Sequence, residues 1–378
     1  MKIVIAVDSF KGSLSSMEAG EAIAQGIRRV SQNEDITIRP LADGGEGTVE
    51  ALVSGMGGEL QQVVVTGPLK ASVSCTYGII KSTKTAIIEM SSAAGLTLIS
   101  DNEKNPLVTT TYGVGEIIKN AIAQGCRRFV VGIGGSATND GGVGMLQALG
   151  YDFLDKTGNQ IPYGAIGLSE LDKIADNNVI PELEECEFHI ACDVTNPLCG
   201  DNGCSAVYAP QKGATSSMIR DMDQWLAKYA LLSKAKYPKA NPEQEGTGAA
   251  GGMGFAFVTF TNAVLEPGIK LVLEETKLLD HVKNADIVIT GEGRLDGQTA
   301  MGKAPLGVAE LAKRYNKTVI AFAGSVTREA RECNTKGIDA YFPILRSVTT
   351  LEEAMKAENA KLNLSDTAEQ VFRLLLGK

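Results

Sequence analysis

Three stretches of this chain couple glycines to carboxylates: Ala42-Asp43-Gly44-Gly45-Glu46-Gly47-Thr48, Gly132-Ile133-Gly134-Gly135-Ser136-Ala137-Thr138-Asn139-Asp140-Gly141-Gly142, and Thr290-Gly291-Glu292-Gly293-Arg294-Leu295-Asp296. The longest follows the apolar run 129–131 and leads into a helix-like segment over 143–149. Backbone N–H groups with no side chains in the way, beside a helix N-terminus, favour a concentrated negative charge such as phosphate. The packing alternative is a tight turn with a helix N-cap at Thr138, Asn139 or Asp140, but few caps need five glycines. We read Gly134, Gly135 and Ser136 as a phosphate cradle, with Ser136 and Thr138 adding hydroxyl donors. Recurrence of the glycine–carboxylate pattern points to phosphate and metal chemistry.

Other charged residues follow apolar runs. Asp8-Ser9-Phe10-Lys11 follows the first run directly. Ligands of open α/β sheets bind at the carboxyl ends of strands, so Asp8 and Lys11 belong at the mouth of a cleft. A lysine there is a mobile point charge for a carboxylate or a moving phosphoryl group. Asp43 sits after the second run by the same rule, against a plain turn and helix start in which Glu46 only favours the dipole. Asp193 ends a third run, as a magnesium ligand or base, with an Asx-turn before Asn196-Pro197 as the bland alternative. Lys212, in Pro210-Gln211-Lys212-Gly213, reaches a phosphate or is a surface lysine. Glu292, held between two glycines, and Asp296 are the strongest carboxylate candidates. Gly297 to Ala304 nearly matches a P-loop but carries Ala304 where a hydroxyl should bind magnesium, so it is not one. Lys303, at a helix start, can still neutralise phosphate.

These residues need strands and helices to hold them. Apolar runs over 3–7 and 36–41 near the start, and over 286–290, 318–323 and 338–344 near the end, alternate with helix patterns. Among these is the capping box Ser15-x-x-Glu18, with Ile23, Ile27 and Val30 on one face. Such alternation predicts a parallel sheet covered on both faces. Two units at the start and three at the end make one five-stranded flavodoxin-like sheet, discontinuous in sequence: residues 1–57 and 267–378. Residues 58–266 form an inserted mixed α/β domain, opening with an antiparallel meander over 61–65, 73–80 and 85–90. The expected class is therefore α/β with two domains.

A length of 378 residues agrees with two domains. Net charge of −9 argues against a nucleic-acid partner, which needs a basic face, but not against small anions held locally. With only His189 and His281, a multi-histidine zinc site is excluded and magnesium on oxygen ligands is the natural metal chemistry. Seven scattered cysteines read as reduced thiols of a cytoplasmic protein. No run approaches the ~20 apolar residues of a membrane helix, so no membrane partner is expected.

In these motifs the chain resembles the bacterial glycerate kinases. The likeness rests on Asp8–Ser13 read as a block, on 42–48 and 132–142, and on 192–198, 210–214 and 248–254. It continues through 290–296 with Gln298-Thr299 and Gly302-Lys303, in family order and over nearly the whole chain. It implies ATP- and magnesium-dependent phosphorylation of D-glycerate at the 2-hydroxyl, giving 2-phosphoglycerate and ADP, and two α/β domains with the active site in the cleft between them. On that footing Gly134, Gly135, Ser136, Thr138, Lys212 and Lys303 bind nucleotide phosphates, and Asp193 or Glu292 holds Mg2+. Asp296 or Asp193 takes the hydroxyl proton, Lys11 assists catalysis, and Ser9, Lys11, Asp43 and Arg294 bind substrate. Expected partners are the small substrates alone, with a monomer or homodimer. The residues do not themselves distinguish 2- from 3-phosphoglycerate or another small hydroxy acid. A non-catalytic glycerate or phosphate sensor is the rival of another class. A 2-hydroxy-acid dehydrogenase lacks its G-x-G-x-x-G loop.

Overall fold

Ile3, Val4 and Ile5 have almost no exposed surface, because their strand is an interior strand of a sheet with helices on both faces. The structure is a computed structural model and describes residues 1–42, 45, 47–297 and 299–377, with the Met301 side chain excepted. The chain divides into two compact units. One comprises Met1–Asp43, Glu50–Met56 and Ile269–Lys378; the other comprises Gly44–Val49 and Gly57–Gly268.

Counting strands along the chain, the first unit holds β1 (Lys2–Ile5), β2 (Asp35–Ile38), β11 (Ile287–Leu295), β12 (Thr318–Val326) and β13 (Ala340–Pro343). All pair in parallel, in the order β13-β12-β11-β1-β2. Renumbered within the unit, this is the 2-1-3-4-5 order of flavodoxin-like sheets, as expected, and its switch point lies between β1 and β11. The helix Ser16–Val30 starts at the predicted capping box: the Ser15 hydroxyl accepts from the Glu18 N–H, and the Glu18 carboxylate accepts from the Ser15 N–H. Its apolar face, with Ile23 and Ile27, packs with Leu364 and Phe372 of the last helix, Ala357–Leu376, onto Ile5, Ile289 and Phe322. These two helices touch at Gly26, where a Cβ would fall 2.1 Å from the Ser365 carbonyl oxygen.

One strand outruns its expectation. The glycines of 291–293 read as a loop, yet β11 continues through Leu295, paired from Gly291↔Phe322 to Leu295↔Val326. Gly291 serves close approach: a Cβ there would lie 2.1 Å from the Phe322 carbonyl oxygen.

The second unit has a six-stranded mixed sheet. Its strands are β3 (Glu59–Thr66), β4 (Ser72–Ile80), β5 (Thr85–Glu89), β6 (Arg128–Gly132), β9 (Glu187–Ala191) and β10 (Asn262–Glu266). The order is β10-β9-β6-β5-β4-β3. β3, β4 and β5 form the expected antiparallel meander, and β5, β6, β9 and β10 are parallel. A hairpin of β7 (Asp152–Leu154) and β8 (Lys173–Ala175) and the strand β10 were not read from the sequence. The core stacks Phe129 on Phe188 and adds Phe255 and Phe257 from the helix Ala249–Phe260. Among the described residues no helix is long and apolar enough to cross a membrane.

Candidate active site

In the first unit, chemistry gathers at the carboxyl ends of the strands beside the switch point. β1 runs on through Ala6 and Val7, and the Asp8 N–H still donates to the Gly291 carbonyl at 2.8 Å, keeping Asp8 against β11. The chain then doubles back, with Phe10 and Leu14 bridged in both directions, so that Lys11 projects from an exposed turn. The turn packs against β11 at Gly293, where a Cβ would sit 3.6 Å from the Lys11 nitrogen, an ordinary contact. Because side chains alternate along a strand, Glu292 and Arg294 share a face of β11, and Asp296 follows just past its end. A cavity of about 410 Å³ opens here. Its charged lining is Asp8, Lys11, Glu292, Arg294, Asp296 and Lys303, and Ser9 also lines it.

Thr299 ties the carboxylates. Its hydroxyl donates to Glu292 Oε1 at 2.5 Å and accepts from the Asp296 N–H at 3.2 Å, while its own N–H donates to Asp296 Oδ1 at 3.3 Å. Asp296 Oδ2 is 3.6 Å from the exposed Arg294 guanidinium. Glu292 is only 9% exposed and Asp296 is half-buried. Lys303 is the N-cap of the helix Ala304–Lys313, without a side-chain capping bond. A cation is unfavourable at the positive end of a helix dipole, so both act together to attract an anion.

The glycine-rich loop of the second unit is held very differently. Gly134 and Gly135 are exposed, but from Ser136 to Asp140 the loop is buried. The Leu96 N–H donates to the Gly135 carbonyl at 2.9 Å, and the Ala137 N–H donates to the Ala94 carbonyl at 2.9 Å. Lys212, 1% exposed, lies beneath; its Nζ donates to Ser136 Oγ at 2.7 Å and to the Thr138 carbonyl at 2.6 Å. Burial lowers its pKa to about 8. Thr138 has no exposed surface, and its hydroxyl faces the protein interior. Asp140 accepts from the Thr111 N–H and hydroxyl and from the Gly142 and Gly144 N–H groups. Burial pushes its pKa up and these donors pull it down, with a net rise. The N–H groups opening the helix Val143–Ala148 are thus already bonded to Asp140.

Asp193 belongs to the second unit. It is exposed two residues past β9, and its Oδ1 accepts from the Gly268 N–H at 2.8 Å. Asp43 lies outside the described residues. The structure thus collects Ser9, Lys11, Glu292, Arg294, Asp296 and Lys303 at one cavity, and Gly134, Gly135, Ser136, Thr138 and Lys212 at one loop. Sequence reasoning gave no role to Thr299, although it lies three residues past Asp296, the spacing of a side-chain-to-backbone turn. Among the described residues no group of three or more His, Cys, Asp or Glu side chains is close-set enough to cage a metal ion.

Comparison with known proteins follows the same course. The sequence model of the Glycerate kinase family matches residues 3–376. The chain belongs to the glycerate kinase family. It is 46% identical over 378 residues to the glycerate kinase of Haemophilus influenzae, covering 100% of both chains. It is also 46% identical to the glycerate 2-kinase of Escherichia coli K12, over 94% of this chain and 93% of that one. A crystal structure of a protein from Salmonella typhimurium LT2 assigned as a glycerate kinase superposes with a TM-score of 0.92 at 46% identity, covering 100% of this chain and 98% of that one. Membership in the glycerate kinase family makes the chain a phosphotransferase with an alcohol group as acceptor.

Proposed function

We propose that this kinase transfers the γ-phosphoryl group of ATP to the 2-hydroxyl of D-glycerate in a magnesium-dependent reaction, giving 2-phosphoglycerate and ADP in the cytoplasm. The observation that carries the reading is the cavity at the switch point, where three cations and three carboxylates line one space. The name of the Escherichia coli relative supports the 2-position, and seven unpaired cysteines support a reducing compartment.

Phosphoryl transfer needs positioning and charge neutralisation rather than covalent help from the protein. The charged lining sums formally to zero, which leaves little net attraction for a triphosphate alone. That balance suits magnesium, which is commonly held by one or two carboxylates plus substrate phosphates rather than by an all-protein cage. Glu292 and Asp8 are the oxygen donors we assign to it, with Asp193 as the competing ligand. When bound, the ion would draw charge from the phosphate oxygens as it builds during transfer. Asp296, oriented by Thr299 and Arg294, accepts the 2-hydroxyl proton as that oxygen bonds to phosphorus; the bond to ADP breaks, and ADP leaves with its electron pair. Lys11, Arg294 and Lys303 steady the moving phosphoryl group and the glycerate carboxylate. Gly134 and Gly135 are the part of the glycine-rich loop open to a phosphate.

Phosphorus NMR of the protein with ATP, magnesium and D-glycerate tests the reaction. A 2-phosphoglycerate resonance growing with ADP is the expected outcome. A 3-phosphoglycerate signal keeps the kinase and overturns the position; unchanged ATP with folded protein overturns the reading. Asp193→Asn and Asp296→Asn, compared for turnover and magnesium dependence, separate base from metal ligand; near-normal turnover in both removes these assignments.

A further inference from the structure

Among the described residues, nothing accepts from the backbone N–H of Gly134, Gly135 or Ser136 at the start of the glycine-rich loop. Gly135 has φ of +74°, and successive N–H groups around a left-handed residue form a concavity suited to an anion. Ser136, 6% exposed, adds a hydroxyl whose direction is constrained. An ammonium has three donors and no lone pair, so the 2.7 Å bond between Lys212 Nζ and Ser136 Oγ runs from lysine to serine. A second bond, to the Thr138 carbonyl at 2.6 Å, ties the same ammonium to the loop backbone. Ser136 Oγ is thereby an acceptor toward Lys212, and its own hydrogen has no acceptor among the described residues.

From this arrangement we infer that Lys212 is a positioning residue for phosphoryl transfer: its ammonium holds Ser136 Oγ as an acceptor, so that the Ser136 O–H donates, with the Gly134 and Gly135 N–H groups, to a nucleotide phosphate. Lys212 itself, buried and with both bonds made inside the loop, acts without touching the phosphate. A neutral amine has a lone pair. It can take the Ser136 hydrogen while still donating to Thr138, and the hydroxyl then turns away from the ligand. The charge on one buried lysine thus sets the polarity of the hydroxyl. The titratable groups facing it are Asp140 of the loop and Cys204 of the helix Cys204–Tyr208. Burial pushes the Cys204 thiol up to about 11, so it stays protonated where Lys212, at about 8, loses its proton. The inference rests on the reading of ATP as phosphoryl donor.

Calorimetric titration of ATP into wild type and Ser136→Ala from pH 7 to pH 9.5 tests it. At pH 7 the variant should bind ATP roughly tenfold more weakly, about the effect of one hydrogen bond to a charged group. By pH 9.5 the ratio should approach one, because the wild type has then lost the same contact. The ratio cancels titration of ATP itself and of the lysines in the first unit. A ratio equal at every pH overturns the inference, since Lys212 would then only brace the loop. In a Lys212→Met background the effect of Ser136→Ala should not vary with pH; a variation that survives there belongs to another group and also overturns it. If Lys212→Met does not fold, the comparison of wild type with Ser136→Ala decides alone. Ser136→Ala should leave D-glycerate affinity within about twofold, and weakening of glycerate in place of ATP overturns the assignment to nucleotide phosphate. If the wild type does not bind ATP, the reading of the phosphoryl donor fails and this inference with it; if it does and Ser136→Ala matches it at pH 7, only this inference fails.

Discussion

The two units hold their charged side chains in opposite ways. Around the cavity of the first unit the three cations and Asp296 meet water, Lys11 and Arg294 exposed and Lys303 and Asp296 half-buried, while the carboxylates Asp8 and Glu292 are buried. Around the glycine-rich loop of the second, Lys212 and Asp140 are each 1% exposed and bonded to backbone groups and hydroxyls of the loop and its neighbours. A charge at a wet surface can exchange water for a ligand at small cost. A charge already desolvated and hydrogen-bonded gives up its protein partners to do so, and the protein is destabilised by the amount those bonds contributed. The comparison assigns chemistry to the first set and loop geometry to the second, although glycines and lysines made the two look alike in sequence.

The largest effect should come from the first set. Asp296→Asn keeps the acceptor for the Thr299 N–H but cannot take a proton. On the proposed mechanism kcat falls by about 10²–10⁴, while stability stays within about 0.5 kcal/mol of wild type, as for most half-exposed sites. Turnover assays paired with thermal melts read both quantities. A variant that melts early would place Asp296 with the structural charges and erase the contrast.

The mirror experiment is Asp140→Asn. An amide in place of this carboxylate turns one acceptor oxygen into a donor facing N–H groups of Thr111, Gly142 or Gly144. Leaving a buried donor unsatisfied costs about 1–3 kcal/mol, more beside a charged partner. We expect about 3 kcal/mol of destabilisation and a Tm lower by about 5–10 °C. A melt unchanged from wild type would show that the loop does not depend on this carboxylate.

Lys212 sharpens the comparison through pH. Its folded pKa is lowered by burial to about 8 from 10.5. Between these values the unfolded chain binds the proton and the folded one does not, so stability gained through this group rises with pH across that window and is lost as pH falls through 8. Relative to Lys212→Met, the wild type should gain about 3 kcal/mol between pH 7 and 10.5. Denaturant titrations of the pair across that range measure it. A flat difference would mean that the amine is hydrated in both states.

Much of this was legible in the sequence, for definable reasons. The 2-1-3-4-5 sheet announced itself through continuous apolar runs, which only a strand covered on both faces requires. The meander of β3 to β5 showed in its turns and its β-rich runs, and the helix Ser16–Val30 in its capping box. Asp8 and Lys11 were readable as strand-end residues because a ligand site at that edge is a rule of the fold, and Glu292 as a carboxylate held between two glycines. What stayed hidden depended on partners distant in sequence. Nothing in Pro210-Gln211-Lys212-Gly213 marks a lysine that will be buried 74 residues away from its acceptor at Thr138. Gly291 looked like a loop residue because its reason for being glycine, the Phe322 carbonyl, lies on the next strand. The helix Ala249–Phe260 was masked by its first turn, where Ala250, Gly251 and Gly252 take positive φ before the apolar run resumes.

The smallest predicted effect probes the exposed tip of the loop, where the two kinds of region come closest in character. Gly135 has φ of +74°, and a Cβ there would meet only the Ser91 Cβ, at 3.5 Å, an ordinary contact. Gly135→Ala should therefore cost only the backbone penalty for a left-handed L-residue, about 1–2 kcal/mol, without a packing clash. Gly142 is the reference position: it has nearly the same φ, +73°, but a Cβ there would lie 2.5 Å from that of Ala256, so Gly142→Ala must cost more. Chemical denaturation of the two variants gives that ordering directly. If Gly135 and Gly134 also touch nucleotide phosphate, Gly135→Ala should raise KM for ATP several-fold beyond its effect on stability, with kcat less affected. A KM unchanged in a folded Gly135→Ala enzyme would confine the glycine-rich loop to architecture and leave every phosphate contact to the cavity of the first unit.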